Sequence, residues 1–287
     1  MIFKDLEIND KLPLTCSLEG NCCFGNNVYI NPWEIYTLAK GLNMDPKDFI
    51  ELNTTDGGIK LAFNGKFEKK SIKSCNLYDE KIGCKIHSNR PLACRLFPLG
   101  RKIQLDKTNY FFEGKNHPCL DRCPSVLELP KIKLKNYIKQ QKTENFEKVQ
   151  DQYLEIIQNL ADTAFALYLE TDAKLNDKGE TLKGWGNLTR KNQSEIIKNL
   201  SPEWRKIILY PFDLHEDFDS VLFIQNQVKI IENKLQKEID SIKILEEFIS
   251  NSIRIMSISL IIGKSIGANM NEIIHQWISD AKEFAKY

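Results

Sequence analysis

At 287 residues, 42% hydrophobic and 28% charged, the chain can bury one or two cores and lacks the composition of a disordered segment. Forty Lys and Arg against 39 Asp and Glu leave a net charge of +1, which argues against nucleic acid or an anionic membrane as the main partner. The opening M-I-F-K-D-L-E-I-N-D mixes charges into its apolar residues, so no secretory signal is expected and the chain is read as cytoplasmic.

In chain order, the first helix is predicted from Asn31 as N-cap and Pro32 at the first helical position, with Gly41 as its stop. Asp45-Pro46 starts a second, shorter helix to about Leu52. G-I-K-L-A-F-N-G, then R-K-I-Q-L-D and N-Y-F-F-E beyond Gly100, alternate in part with period two and read as short strands. Residues 131–142 are rich in lysine and read as a solvated helix face or linker.

From about Thr143 the pattern is helical, with Phe146, Val149, Tyr153, Ile156, Ile157 and Leu160 on one face. The glycine-bearing stretch 177–187 reads as a break, and it matches neither phosphate-loop nor dinucleotide fingerprints. Ser201-Pro202 starts another helix. A long segment from Asp219 to about Ser250 carries a stripe of Val221, Ile224, Val228, Ile231, Leu235 and Ile242, and two further helices follow. The apolar run 253–262 is too short to span a bilayer and reads as a buried helix. The expected class is α+β: a small cysteine-rich N-terminal domain (1–130) with loop-borne metal ligands, then a mainly α-helical region (131–287).

The chemistry lies in the cysteines. All eight (Cys16, Cys22, Cys23, Cys75, Cys84, Cys94, Cys119 and Cys123) precede residue 124. Four disulfides are arithmetically open, but disulfide frameworks belong to exported chains, and chance core packing is a poor account of the Cys22–Cys23 pair. Thiolate ligation of metal is the expected role of all eight. Gly83, Pro91, Pro118 and Pro124 stand beside or close to four of them, and the tight loops they favour aim backbone N–H groups at sulfur. No C-x-x-C knuckle occurs, which counts against the commonest zinc architectures and favours an iron–sulfur cluster, with zinc the alternative. His87 and His117 read as neighbours of the site rather than ligands. Arg90 and Arg95 are candidates to offset thiolate charge behind the ligands. In P-F-D-L-H-E-D-F-D, the cluster of Asp213, His215, Glu216, Asp217 and Asp219 reads as an acidic helix N-terminus.

The order C-x5-C-C, then C-N-L-Y-D-E-K-I-G-C-K-I-H-S-N-R-P-L-A-C-R-L-F-P, resembles the YkgJ-type cysteine-cluster family, described as zinc- or iron-chelating. That family often opens with C-x-x-C-x-x-C-C, and here Glu19 stands at the second position. The flagellin lysine N-methylases look like distant relatives. That resemblance implies an iron–sulfur cluster, S-adenosylmethionine and a protein substrate. The other class of function is a non-enzymatic metal module whose helices engage a partner protein.

Overall fold

The computed structural model describes residues 5–15, 20–104, 107–112, 124–175, 178–190, 193–212 and 217–284. Short strands and loops are followed by a mostly helical region, an α+β chain. By contact it divides into two units: Met1–Val28, Thr37–Met44 and Asp48–Lys148 in the first, Tyr29–Tyr36, Asp45–Lys47 and Val149–Tyr287 in the second. Each unit is thus assembled from three segments.

In the first unit, β1 (Asp5–Leu6), β9 (Leu99–Gln104) and β10 (Lys107–Phe112) form an antiparallel sheet in the order β1-β10-β9. The strand β2 (Lys11–Leu12) pairs with β11 (Ile132–Lys133), which leads directly into a helix at Leu134–Gln141. Leu14, Leu99, Leu134 and Tyr137 form the buried cluster between these parts, with Leu6, Tyr110 and Phe112 packed on it. The remaining strands are two-residue ladders: β3 (Thr54–Thr55) with β4 (Lys60–Leu61), β5 (Glu68–Lys69) with β6 (Ile72–Lys73), and β7 (Tyr78–Asp79) with β8 (Gly83–Cys84). Ladders this short contribute little by themselves, so their geometry is set by turns and by what they pack on.

The predicted helix starts are present, and each has a visible cap. Asn31 Oδ1 accepts from the Glu34 N–H at 2.9 Å while Glu34 Oε2 accepts from the Asn31 N–H at 3.0 Å, a reciprocal box opening α1 (Pro32–Gly41). Asp45 Oδ1 takes the Lys47 N–H at 2.8 Å at the head of α2 (Pro46–Asn53). Gly41 ends α1 for another reason than the one expected. The left-handed residue beyond it is Asn43, at φ 51°, whereas a Cβ on Gly41 would meet Asn89 Nδ2 at 2.5 Å. The glycine makes room for the loop that carries Arg90.

The second unit is helical. After α3 (Leu92–Leu96) and α4 (Leu134–Gln141) come α5 (Glu144–Leu175), α6 (Lys178–Arg190), α7 (Gln193–Lys198), α8 (Pro202–Leu209), α9 (Ser220–Asp240), α10 (Leu245–Ser265) and α11 (Met270–Phe284). Ser201 caps α8 by accepting from Trp204 N at 3.2 Å, and Asp219 caps α9 through Leu222 N at 2.8 Å. Two expectations are corrected. The glycine-bearing stretch 177–187 lies largely within α6, because Trp185 is buried against Phe165 and Tyr168, and a Cβ on Gly184 would stand 2.5 Å from the Tyr168 hydroxyl. Burial and close helix approach outweigh the ~1 kcal/mol helix cost of each glycine. The stripe from Asp219 to Ser250 belongs to two helices, α9 ending at Asp240 and α10 starting at Leu245, and Val221 is exposed rather than core. The apolar run 253–262 sits inside α10, most of it buried, and among the described residues no helix is long and apolar enough to cross a membrane.

Candidate metal centre

Cys22 and Cys23 lie on a 3-10 turn, Asn21–Cys23, entered through Gly20 at φ 69°. A side chain at Gly20 would approach the Tyr78 ring at 3.1 Å. The turn is pinned by Cys23 N–H to Gly20 O at 3.0 Å and by Asn26 Nδ2 to Cys22 O at 2.6 Å. The next stretch crosses it directly: Cys75 N donates to Cys23 O at 2.7 Å, and Phe24 forms a bridge with Ser74. Those bonds place Cys75 beside the Cys22–Cys23 pair.

Cys84 arrives on the β7–β8 hairpin, where it pairs with Tyr78. The hairpin turn is built by Asp79, whose Oδ1 accepts from Lys81 N at 2.9 Å and Ile82 N at 3.3 Å, and by Gly83 at φ 76°. Phe24, Tyr78 and Phe67 stack edge to face beneath the loops, with centroids 5.1 Å apart for Phe24–Tyr78 and 5.7 Å for Phe67–Tyr78. Lys69 Nζ covers the Phe24 ring at 5.0 Å and donates to Asn21 Oδ1 at 3.0 Å.

Cys22, Cys23, Cys75 and Cys84 are therefore carried by three neighbouring loops, and their ionisations act on one another. The Cys23 thiol donates to the Cys22 sulfur, which lowers the Cys22 pKa from the ordinary 9.0 to about 7, helped by the charges of Arg90 and Lys69. The same bond holds the Cys23 proton in place and pushes its pKa up, with burial and the neighbouring Cys22, Cys84 and Cys75 acting in the same direction. Burial lifts Cys75 to about 11 against the Leu77 N–H, which donates to its sulfur. Burial also raises Cys84, opposed by the Ile86 N–H and by Arg90. At both Cys75 and Cys84 the amide two residues on points at the sulfur, an arrangement that favours thiolate as a ligand.

Cys22, Cys23, Cys75, Cys84 and Cys94 all carry thiols rather than disulfides. Cys94 lies in α3, its N–H donating to Pro91 O at 3.0 Å. Cys16, Cys119 and Cys123, together with Glu19, His117 and His215, fall outside the described residues. Among the described residues, no three Cys, His, Asp or Glu side chains already stand in metal-coordinating geometry. The donor set nevertheless fits a thiophilic metal: neighbouring thiols, amides aimed at sulfur and two cations nearby.

The two arginines differ. Arg95 is buried, at 7% exposure, and binds backbone carbonyls: Nε to Arg90 O at 2.8 Å, Nη1 to Gln141 O at 2.9 Å, and Nη2 to Ser88 O. Its guanidinium also lies 4.1 Å from the Phe146 ring centroid. Arg90 holds His87 Nε2 with Nη1 at 2.9 Å and Gln141 Oε1 with Nη2. Burial and the two arginines lower the His87 pKa, so His87 is a neutral acceptor for Arg90. Lys69, Gln141, Asp79 and the aromatic trio escaped the sequence reading. Only D-E-K-I-G carried a usable signal, as an aspartate–glycine turn.

The family model named CxxCxxCC, described as a "putative zinc- or iron-chelating domain", matches residues 15–124. The segment 15–124 is thus similar to that family, over a little more than a third of the chain. All eight cysteines fall within it. No curated protein and no solved structure matches the chain.

Proposed function

We propose that the segment 15–124 binds iron as a cysteine-ligated iron–sulfur cluster, and that Cys22, Cys23, Cys75 and Cys84 act together in holding it. The observation that carries this reading is that three neighbouring loops bear four thiols whose ionisations are linked, two of them receiving an amide N–H from two residues on. Clusters are readily held by ligands spread over loops, whereas structural zinc more often uses C-x-x-C knuckles, absent from this sequence. A cluster would supply electron transfer or Lewis-acid chemistry at the site. Once metal displaces the thiol protons, the amides of Leu77 and Ile86, with the charge of Arg90 at Cys84, would favour the thiolates of Cys75 and Cys84. The reading assumes a reducing, cytoplasmic setting. Lysine methylation with S-adenosylmethionine draws on the distant methylase resemblance alone, and on that reading the helical unit would engage the protein substrate or partner.

Anaerobic purification tests the metal. The expected result is a brown protein absorbing near ~400 nm with acid-labile sulfide, as cysteine-ligated clusters require. Cys84→Ser should lose most of the bound metal, because a serine hydroxyl is a far weaker ligand, while His215→Ala should retain it. A colourless protein holding stoichiometric zinc would overturn the iron assignment. Equal loss from both substitutions would overturn the site. Transfer of label from S-adenosylmethionine to a protein in cell extract is the separate test of methylation.

A further inference from the structure

Among the described residues, Arg90 brings an unpartnered donor to the neighbourhood of the thiols. Arg90 is clamped along one edge, Nη1 on His87 and Nη2 on Gln141, yet its Nε–H is buried and, among the described residues, meets no hydrogen-bond acceptor. Buried guanidinium donors are normally satisfied, so an orphaned one marks a place where an acceptor is expected. The loop that carries it is held firmly in place. Arg95 ties Arg90 O and Ser88 O, and Asn89 packs against Gly41. The Arg90 charge already favours the ionised form of Cys22 and of Cys84.

We infer that Arg90 is the positioning residue of the thiol group, fixed by His87 and Gln141 so that its charge and its unused Nε–H meet the anionic complex that forms when metal binds. Four thiolates around a divalent ion carry a net charge of about −2, and a fixed guanidinium offsets part of it. This inference rests on the proposed metal site. It goes further by assigning to Arg90 the control of metal affinity, and it separates that residue from Arg95, which serves the backbone.

The test uses the full chain, prepared metal-free under anaerobic conditions and titrated with zinc ion against a chromophoric chelator. Arg90→Gln removes the charge and Arg90→Lys keeps it. The expected result is a loss of affinity of at least about tenfold in Arg90→Gln and under about threefold in Arg90→Lys, the scale of outer-ligand effects. Melting temperatures of the metal-free chains should be the same for wild type and both variants. The inference is overturned if Arg90→Gln binds as tightly as wild type, if Arg90→Lys loses as much as Arg90→Gln, or if the metal-free melting temperature falls in step with affinity. A wild-type chain that takes up neither zinc nor iron overturns the proposed function itself, and this inference with it. A loss of the inference alone leaves wild-type binding intact.

Discussion

Cys22 and Cys23 share a proton, and pH should act on the site through that pair and its neighbours. Cys22, depressed from 9.0 to about 7, contributes stability to the metal-free fold that is fully present above pH 9 and is lost as pH falls through about 7. Cys75, raised to about 11, works in the opposite direction: its contribution is fully present below pH 9 and is lost as pH rises through about 11. Around pH 8 the Cys22 sulfur is therefore largely ionised while Cys23, Cys75 and Cys84 keep their protons. Two outcomes are expected. Alkylation of Cys22 in the metal-free protein should rise through a midpoint near 7, measured by mass spectrometry of the modified peptide. Zinc binding by these four thiols at pH 8 should release about three protons, read by titration calorimetry in buffers of different ionisation enthalpy. Release of fewer than about two would show that the four thiols do not bind together.

Arg95 acts at the same scale but for the fold. Its guanidinium satisfies three carbonyls in a buried setting, and lysine cannot reproduce that fork. Both Arg95→Lys and Arg95→Met should destabilise the first unit by about 2–4 kcal/mol, because buried carbonyls lose charged donors. Urea denaturation of the metal-free protein measures this. Metal affinity should change only as far as folding does, in contrast to Arg90.

At the scale of elements, two glycines make opposite predictions. Gly65 lies against the Ser74–Cys75 backbone: a Cβ there would stand 2.5 Å from Ser74 Oγ and 2.8 Å from Cys75 O. Backbone cannot yield as a flexible side chain can, so Gly65→Ala should displace Cys75, cost about 1–3 kcal/mol and weaken metal binding. Gly186 sits within α6 with open space where its Cβ would be. Gly186→Ala should stabilise the helix by about 0.5–1 kcal/mol and leave metal affinity unchanged. Thermal unfolding of both variants checks the sign. A stabilised Gly65→Ala chain would mean that the close approach beside Cys75 is misjudged.

Across the whole molecule, the helical unit draws on residues far upstream. Tyr36 packs on Phe218 and Phe223 with centroids 6.1 Å and 5.3 Å away, and its hydroxyl oxygen accepts from Phe218 N at 3.3 Å. A fragment of residues 131–287 lacks this segment. It should remain largely helical by circular dichroism yet melt below the full chain, since removing a buried aromatic typically costs about 3–5 kcal/mol. A peptide spanning 29–47 should raise its melting temperature when added back. An unchanged melting temperature with and without the peptide would mean that the upstream segment adds nothing to the helical unit.

What the sequence determined by itself follows from short-range chemistry. Helix starts at Asn31-Pro32, Asp45-Pro46 and Ser201-Pro202 depend on a side chain reaching an amide two or three residues away, and each cap is in place. The cysteine-rich segment was legible because thiols are rare and their spacing survives whatever the fold does, and the family match to 15–124 spans all eight of them. Tertiary structure alone decided which thiols meet. Cys23 and Cys75 are 52 residues apart in sequence and are joined by one amide–carbonyl bond, a contact no local pattern encodes. It also separated two arginines that look alike on paper, because one lies among carbonyls and the other is held by His87 and Gln141 with its charge felt at Cys22 and Cys84. Finally, it turned a glycine-bearing stretch into a helix: burial of Trp185 and the close approach at Gly184 act over distances that propensity does not see.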